Sequence, residues 1–579
     1  MKVGQKRETL ILLAVCVVLG GIFAVLYWKQ SIKVDKPDME EDYSLNEWTV
    51  EDSSMNDSPL EEDKRIYPDE PNNELHDVYI SVFPTKDENG EMIDFSSFDL
   101  HTSRNHEYNP TLNCNIQILD EGEMLDPLLN LDAKNATIRV RGNSSRGDEY
   151  KSYKVKFTGE DMEFEGQTIL NLNKHSEDFS KITTKFCTDV LQDMDNMVSY
   201  RTNFMRVWIR DASLPKDEQE FVYYGLFTHI EQPNKRFLEA RGLSTSCEMY
   251  KARDFSFRLT DAIRDVDDPD YSEADFEQVL GIREADSHEK LIEMLEAVND
   301  ETRDFEEVFE TYFDEENYLT WLAFNLLVGG DDILNHNFII YSPVNSQKWY
   351  FITWDYDSNL APEEEVLPES LKGGQKLNQV VLHRRYFRIP GNLQKLEKKM
   401  EELIQNDFSE ERIHALTEGY KPVLNKTMAL EPDIGLLRGG MTPADLIPYV
   451  DSFDEIIMRN YQNFKTAFQY PAPMFVSLPT QNPDGTLHLA WDNSYSYQQR
   501  TITYRVQIAN DCHMKNILFE QDAIYNNSID TDIAFEPGVY YLKVFAIDSE
   551  GNEQVSLEHY EFDGASFIYE SGVLEFTVE

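Results

Sequence analysis

The stretch that decides the fold is GGDDILNHNFIIYSPVNSQKWYFITWDYD, residues 329–357. It contains two short runs rich in β-branched and aromatic residues, Phe338–Tyr341 and Trp349–Trp354, separated by a polar segment with a proline. Such a pattern predicts two strands joined as a hairpin. Carboxylates stand at both ends, with Asp332 before the first strand and Asp355 after the second. A hairpin bracketed by carboxylates is harder to attribute to chance than an isolated acidic pair.

The order of these residues resembles that of a protein-kinase site. Asp332 and Asn337 are spaced as in the D-x-x-x-x-N catalytic loop of kinases, which provides a base and a metal ligand. A strand, a turn and a second strand then deliver Asp355, as the same topology delivers the metal-binding Asp of D-F-G. Asp331 leaves the register of the first carboxylate open by one residue. Alone, the pair of Asp355 and Asp357 is typical of a solvated turn in an acidic chain.

A second segment, Arg139–Phe157, places a glycine-containing loop directly before a strand. Backbone amides in such a loop bind phosphates, and a lysine on the strand reaches them. Lys154 and Lys156 share one face of the predicted strand because side chains alternate along it. A polar hairpin with an exposed basic edge is the alternative interpretation.

A third segment runs from Tyr223 to Gly242 and is followed by Glu248–Ala252. Its pattern predicts a buried strand that leads into a polar connector and a short helix. The residues alone give Glu231 no role.

Together the three segments resemble the CotH family of spore-coat and bacterial-surface kinases, over roughly Val78 to Phe464. The resemblance rests on RGNSSR…KSYKVKF from Arg141, YGLFTHIEQPNKRFL from Tyr224 with its MYKA partner, and DDILNHNF…WYFITWDYD from Asp331. It implies an atypical, two-lobed protein-kinase-like fold. It also implies transfer of the ATP γ-phosphate to protein serines, with Mg²⁺ or Mn²⁺ as cofactor.

The resemblance also implies roles for individual residues. Asp332 would be the catalytic-loop carboxylate, and Lys156 would contact the ATP phosphates, with Lys151 and Lys154 as alternatives. Glu231, Arg141 and Asn143 would belong to the nucleotide site, and Asn337, Asp355 and Asp357 would bind metal. The loop departs from the kinase pattern because no arginine stands where kinases have that of H-R-D.

The acidic composition argues against nucleic acid and anionic lipid as partners. The 579 residues include 107 Asp and Glu against 53 Lys and Arg, which gives a formal net charge of −54. Nucleic acid and anionic lipid headgroups would be repelled by such a surface, so we expect basic or metal-bridged partners. The family resemblance implies a basic or serine-rich surface or coat protein as the substrate. The apolar content of 41% is sufficient for packed cores.

The N-terminus predicts a membrane anchor. Thr9–Trp28 carries no charge and has the length of about 20 residues that a spanning helix needs. Lys2, Lys6 and Arg7 precede it, which predicts a cytoplasmic N-terminus and an extracytoplasmic bulk. A cleaved signal peptide and a lipoprotein site at Cys16 are the alternatives. The other four cysteines lack metal-site spacing and predict free thiols, with one disulfide left open.

The pattern along the chain predicts four segments. Residues 1–30 form the anchor and 31–77 an acidic, disordered stalk, since apolar residues are few there. Residues 78–468 form a β-rich part followed by a helical part. Residues 469–579 form a β-sandwich that resembles a fibronectin type III module, with Trp491 and the Gly538–Asp548 strand as markers. The predicted fold class is α+β.

Three functions are compatible with these features. The first is a membrane-anchored protein kinase. The second is a catalytically inactive kinase-like scaffold or adhesion protein of the cell surface or spore coat. The third is calcium-dependent adhesion through acidic loops such as Asp265–Asp270.

Overall fold

The first part of the chain is built around a closed seven-stranded barrel. The computed structural model describes residues 59–68, 73–87, 89–100, 108–142, 144–159, 162–330, 334–362, 369–563 and 567–579. The strands of the first part are β1 (Leu75–Phe83), β2 (Thr85–Lys86), β3 (Met92–Ile93), β4 (Leu112–Leu119), β5 (Ala136–Arg141), β6 (Ser152–Phe157), β7 (Ile169–Asn173), β8 (Thr202–Asp211) and β9 (Val222–Ile230). Its helices are α1 (Phe95–Asp99), α2 (Thr183–Gln192) and α3 (Lys235–Ala240).

Alternating side chains explain the barrel. The strand order is β1-β4-β5-β6-β7-β9-β8, and β1 closes the barrel by pairing in parallel with β8. Ile138 and Val140 on β5, and Tyr153 and Val155 on β6, are fully buried in the barrel core. Because successive side chains point to opposite faces, the residues between them lie on the outer face of the barrel.

The second part combines a four-stranded antiparallel sheet with helices. Its strands are β10 (Cys247–Ala252), β11 (Leu280–Glu284), β12 (Phe338–Pro343) and β13 (Tyr350–Thr353), in the order β11-β10-β12-β13. Its helices are α4 (Glu273–Val279), α5 (Glu289–Asn299), α6 (Phe305–Tyr312), α7 (Glu315–Leu327), α8 (Val381–Phe387), α9 (Asn392–Asn406), α10 (Glu410–Thr427), α11 (Pro443–Asp451) and α12 (Phe453–Ala467).

Helix α7 positions the hairpin that follows it. Asp314 caps its first turn by accepting a hydrogen bond from the Asn317 backbone N–H. The helix is buried on all sides, as expected for the centre of a helical core. It ends before Gly329, whose φ of +78° is a conformation that glycine adopts without strain.

The C-terminal part is all β. Its strands are β14 (Thr480–Gln481), β15 (Leu487–Ala490), β16 (Ile502–Ala509), β17 (Ile517–Ile524), β18 (Ser528–Asp530), β19 (Gly538–Asp548), β20 (Glu553–Val555), β21 (His559–Asp563), β22 (Phe567–Ser571) and β23 (Val573–Val578). One sheet has the order β14-β15-β18, and another has β17-β16-β19-β20, with β23 also paired to β19. Trp491 and Tyr504 meet in the core that these sheets share. The ring of Tyr497 packs on Phe468, which joins this part to the helices.

The described segment before β1 corrects the predicted stalk. Leu60 is 4% exposed and packs in an apolar cluster with Phe237 and Trp354. The side chain of Glu62 is fully buried beside Arg241. Part of the segment predicted to be disordered is therefore packed on the folded domain, because these side chains find partners that the sequence alone does not reveal. The rest of the predicted stalk, residues 31–58 and 69–72, and the predicted span at residues 1–30 lie outside the described residues.

Most predicted elements agree with the structure. The predicted α+β class and the β-rich first part are confirmed, and the predicted hairpin is confirmed within one or two residues at each strand end. Helix α2 was not predicted inside the β-rich part. Cys114, Cys187, Cys247 and Cys512 are free, as predicted. In the part of the chain that the structure describes, no helix has the length and apolar character needed to cross a membrane.

Candidate functional site

Strand register brings one lysine to the edge of the hairpin where Asp355 follows β13. Phe338 of β12 pairs with Thr353 of β13, so both outer ends of the hairpin lie at one edge of the sheet. Lys251 of β10 pairs with Ile339, one residue from that edge. Its Nζ lies 5.4 Å from the centre of the Trp354 ring. The sheet thus holds Lys251 beside Asp355.

Cations on the outer face of the barrel face the same region. Lys154 pairs with Arg139 across β5 and β6, and Arg141 follows two residues later on the same face. Arg141 is half-buried, and its Nη1 atom is buried with no hydrogen-bond partner among the described residues. A buried guanidinium nitrogen without an acceptor is costly, so it indicates a place for an anion. We refer to Arg141, Lys154 and Lys251 as the cation group.

The carboxylates of Asp355 and Asp357, which we call the carboxylate pair, share this environment. Burial and the charge of Asp357 raise the pKa of Asp355. Burial would also raise the pKa of Asp357, but His175 and Arg141 lower it overall. Asp355 has a φ of +68°, in the left-handed region that is uncommon for residues other than glycine. Such strain is typical of functional sites.

The lysines of the cation group hold their protons less firmly than free lysines. Burial lowers the pKa of Lys251 to about 8, although Asp355 opposes the shift. Burial and the charges of Arg139 and Arg141 lower the pKa of Lys154 to about 8. Its Nζ donates to Gln232 Oε1 at 3.0 Å. An anion bound beside either lysine would offset the repulsion that each experiences from Arg141.

The other two predicted lysines have different surroundings. Lys156 is exposed on β6. Lys151 is buried, and its Nζ donates to the carbonyl oxygen of Asp148. The assignment of the phosphate contact to Lys156 stays a prediction, while Lys154 is the strand lysine that the fold brings toward Arg141. Asp332 and Asn143 lie outside the described residues, as does Asp331.

Asn337 lies at the start of β12, at the same hairpin edge as Asp355. Its φ of +50° places it, like Asp355, in the left-handed region. The predicted metal-binding role of Asn337 stays a prediction.

Glu231 is held in a different cluster. Arg201 Nη2 donates to Glu231 Oε1 at 2.5 Å, and Arg241 Nη2 donates to Glu231 Oε2 at 2.7 Å. Arg241 Nε also lies 3.1 Å from Glu62 Oε2. Burial would raise the pKa of Glu231, but the two arginines lower it to about 2. We call Glu62, Arg201, Glu231 and Arg241 the arginine–glutamate network.

Two residues near the site, Lys251 and His175, were not assigned a role from the sequence. Lys251 is a charged residue in a strand that is otherwise buried. This strand contains the MYKA segment of the family resemblance. His175 follows β7 in a polar loop, where its neighbours gave no indication of a role. Its imidazole Nδ1 lies 4.0 Å from Asp357 Oδ2. The charges of both Lys251 and His175 act on Asp355.

The donors present fit a hard divalent cation. Carboxylate oxygens are the ligands that Mg²⁺ prefers, and Mg²⁺ is usually bound by one or two carboxylates together with phosphates and water. A cation would also relieve the repulsion between Asp355 and Asp357. Within the described residues, no group of three or more His, Cys, Asp or Glu side chains is arranged to hold a metal on its own.

One cavity lies beside the arginine–glutamate network, and a larger groove lies away from both clusters. A cavity of about 100 Å³ is lined by Arg201, Glu231 and Gln232, among others, and is small compared with common ligand pockets of about 300–1,000 Å³. A groove of about 390 Å³ lies between Phe387–Leu393 and Ser494–Ile502. The charged side chains indicate the site more directly than either cavity does. The unpartnered Nη1 of Arg141 indicates an anion, and the carboxylate pair indicates a cation.

Comparison with known proteins identifies the family of the chain. A family model described as CotH kinase protein matches residues 138–506, which include Arg141, Lys154, Lys251 and Asp355. The chain is also similar to the inner spore coat protein H of Bacillus subtilis (strain 168). The identity is 24% over 294 residues, which cover 49% of this chain and 76% of that protein. Since the family model spans more than half of the 579 residues, the chain belongs to the CotH kinase protein family.

Proposed function

We propose that this chain is a CotH-type protein kinase that transfers the γ-phosphate of ATP to serine residues of a protein. The observation that carries the proposal is the placement of Arg141 and Lys251 beside the carboxylate pair, with Lys154 beside Arg141, in a chain with a net charge of −54. Such a grouping of cations opposes the overall charge, and it matches a ligand that carries both phosphates and a metal ion.

The cation group, the carboxylate pair and Asp332 would each have one of the roles that phosphoryl transfer requires. Arg141, Lys154 and Lys251 would bind the phosphate oxygens and hold the nucleotide in place. Asp355 and Asp357 would hold Mg²⁺ or Mn²⁺, which when bound neutralises charge on the phosphates. Asp332 would orient the serine hydroxyl, by its place in the family pattern. Positioning and charge neutralisation supply most of the catalysis in this reaction class.

The acceptor would be a basic or serine-rich protein. Clustered carboxylates on the surface of this chain would attract cationic segments and repel nucleic acid. The inner spore coat protein H to which the chain is similar makes a coat or surface protein a reasonable acceptor class.

The chain would work outside the cytoplasm, anchored by the apolar segment Thr9–Trp28. The basic residues before this segment favour an N-terminus inside the cell. The C-terminal sheets would form a fibronectin type III-like module. Their strand orders and the buried Trp491 support that assignment.

The experiment uses the 579-residue chain, ATP labelled in the γ-phosphate, Mg²⁺ and a serine- and arginine-rich peptide. We expect metal-dependent labelling of the peptide or of the chain itself by wild type and none by Asp355→Ala. Equal labelling by both proteins would reject the proposal. An inactive scaffold would in addition show no rise in melting temperature on addition of Mg²⁺ and ATP.

A further inference from the structure

The groove at the end of helix α8 differs in charge from the rest of this acidic chain. It has a volume of about 390 Å³, within the range of common ligand pockets, and lies against the segment Ser494–Ile502 of the C-terminal part. None of the described residues that line it is Asp or Glu, although the chain has 107 of these against 53 Lys and Arg. Two arginines, Arg388 and Arg500, do line it. An anionic ligand would therefore meet no carboxylate on the described walls of this groove.

The two arginines of the groove differ in how their charges are satisfied. Arg500 Nη1 lies 2.9 Å from Asp548 Oδ2, and its Nη2 lies 2.9 Å from Glu550 Oε2. Arg388 is exposed, and its Nη2 donates to the carbonyl oxygen of Asn493 at 3.4 Å. None of the described carboxylates forms an ion pair with Arg388. The charge of Arg388 is thus available to a ligand, whereas that of Arg500 is already paired.

A second arginine lies four residues before Arg388, so the two side chains are neighbours on one face of the helix. Arg384 is half-buried, and its Nη1 atom is buried with no hydrogen-bond partner among the residues that the structure describes. Its guanidinium carbon lies 5.3 Å from the centre of the Phe475 ring, which leaves the edge of the guanidinium without an acceptor. Such a nitrogen indicates a place for an anion.

A third arginine adds to the positive charge of this region. Burial lowers the pKa of Arg384, and the charges of Arg388 and Arg258 lower it further. Asp492 and Glu301 oppose this shift, but neither forms an ion pair with Arg384. We call Arg258, Arg384 and Arg388 the arginine cluster. A bound anion would offset the mutual repulsion of its members.

Tyr495 shows that the arginine cluster lies at the groove. This tyrosine lines the groove, and the guanidinium carbon of Arg388 lies 5.9 Å from the centre of its ring. Burial raises the pKa of the Tyr495 hydroxyl, while a hydrogen bond with Tyr497 and the charges of Arg388 and Arg384 oppose the shift. Both arginines are therefore close to the same aromatic side chain of the groove wall.

We propose that the groove and the arginine cluster bind a phosphoserine-containing segment of a phosphorylated protein. This inference rests on the proposed function, which supplies the phosphoserine, but it concerns a surface away from the site of transfer. Arginine clusters bind phosphorylated segments because a guanidinium donates two parallel hydrogen bonds to phosphate oxygens. Ile389 and Leu393 line the groove and provide apolar contacts for the residues beside the phosphoserine. A serine-rich acceptor would thus be retained after its first phosphorylation.

Fluorescence anisotropy of a labelled peptide tests the proposal in the absence of ATP and metal ions. The probe is a peptide with one phosphoserine flanked by leucines, added to the full chain. We expect it to bind at least roughly tenfold more tightly than the same peptide with serine or with aspartate at that position. The reason is that phosphoserine carries nearly two negative charges and three acceptor oxygens. Equal binding of the aspartate peptide would overturn the proposal, since the groove would then bind acidic segments in general.

Substitutions of single arginines locate the binding surface. Arg388→Gln should weaken binding of the phosphoserine peptide roughly tenfold, and because Arg388 is exposed the variant should fold. Arg384→Gln should give a similar loss. The matched control is Arg65→Gln, which removes an exposed arginine that already pairs with Asp63 and should leave the affinity unchanged. Equal losses in Arg388→Gln and Arg65→Gln would show an effect of net charge alone and overturn the proposal.

The outcomes separate this inference from the proposed function. Loss of peptide binding in Arg141→Met but not in Arg388→Gln would overturn it and assign the phosphoserine to the cation group. Labelling of protein from ATP by wild type, without any binding of the phosphoserine peptide, would also overturn it and leave the kinase proposal standing. Binding that depends on Arg388 in a chain that transfers no phosphate would reject the kinase proposal and support a surface for proteins phosphorylated by another enzyme.

Discussion

Two charged clusters in the described part of the protein, the arginine–glutamate network and the cation group with the carboxylate pair, differ in how their charges are satisfied. In the arginine–glutamate network, Glu231 accepts hydrogen bonds from two arginines, and Arg241 also pairs with Glu62. At the carboxylate pair, Arg141 has an unpartnered nitrogen and Asp355 has a strained backbone. The first cluster is complete without a ligand, whereas the second is not.

This difference distinguishes a structural role from a functional one. Paired buried charges hold segments together, and removing one partner is costly because the other charge stays buried. Unpaired groups and strain persist in a native fold only where the surroundings maintain them, and they are typical of binding sites. We therefore assign stability to the arginine–glutamate network and ligand binding to the cation group with the carboxylate pair.

The largest expected effect is on catalysis, from Asp355→Asn. We expect phosphoryl transfer to fall by roughly 10³-fold or more, because a metal ligand is worth several kcal/mol in the transition state. The melting temperature should stay the same or rise, since burial and Asp357 already disfavour the charged form of Asp355. Labelled phosphate transfer and thermal unfolding measure the two effects. A large loss of stability in this variant would place Asp355 with the structural cluster instead.

The opposite pattern is expected for Glu231→Gln. Arg241, whose side chain is fully buried, would lose one of its two carboxylate partners, and Arg201 would lose its pairing with Glu231, so the free energy of unfolding should fall by about 3 kcal/mol. Urea unfolding measures this change. The matched control is Glu553→Gln, which breaks the exposed pair of Arg505 and Glu553 and should cost less than about 1 kcal/mol. Equal effects of the two changes would contradict the structural role of the network.

The loss of stability at low pH should depend on the same arginine–glutamate network. The pKa of Glu231 is lowered from 4.5 to about 2, so the folded state favours the ionised carboxylate. The resulting stabilisation is present above pH 4.5 and is lost as the pH falls through about 2, where it has decreased by roughly 3 kcal/mol. Wild type should therefore lose more stability between pH 5 and pH 2 than Glu231→Gln does. Parallel curves for the two proteins would show that Glu231 does not contribute.

A smaller effect, on the affinity for ATP, is expected to distinguish Lys251 from Lys156. Lys251→Met should weaken ATP binding by about tenfold, because it removes one buried cation from the phosphate region. Lys156→Met serves as the control, since Lys156 is exposed on β6 of the barrel. Titration calorimetry with ATP compares the two. A larger loss in Lys156→Met would support the assignment made from the family resemblance and would remove Lys251 from the phosphate contact.

The sequence predicted those parts of the fold that depend on local patterns. Alternation of side chains marked β6, and two short runs rich in β-branched and aromatic residues marked the β12–β13 hairpin. The parts that depend on distant contacts were not predictable. Leu60 and Glu62 lie in a segment whose composition is typical of disorder, yet each has a partner far along the chain.

The site was predictable to the extent that its residues lie near each other in sequence. Asp355 and Asn337 follow from the hairpin, because antiparallel pairing brings its two ends together. Lys251 required the pairing of β10 with β12, and His175 required the packing of a loop on a distant part of the chain. Glu231 was assigned to the nucleotide site by resemblance, and only the positions of Arg201 and Arg241 show how its charge is satisfied.

Titration calorimetry of ATP with Mg²⁺ into wild type, Arg141→Met and Glu231→Gln tests the central claim most directly. The unpartnered Nη1 of Arg141 is the atom on which the assignment of an anion site depends. We predict that wild type and folded Glu231→Gln bind with similar affinity, and that Arg141→Met binds at least about tenfold more weakly. Unchanged binding by Arg141→Met together with loss of binding by folded Glu231→Gln would contradict the account and exchange the roles of the two clusters.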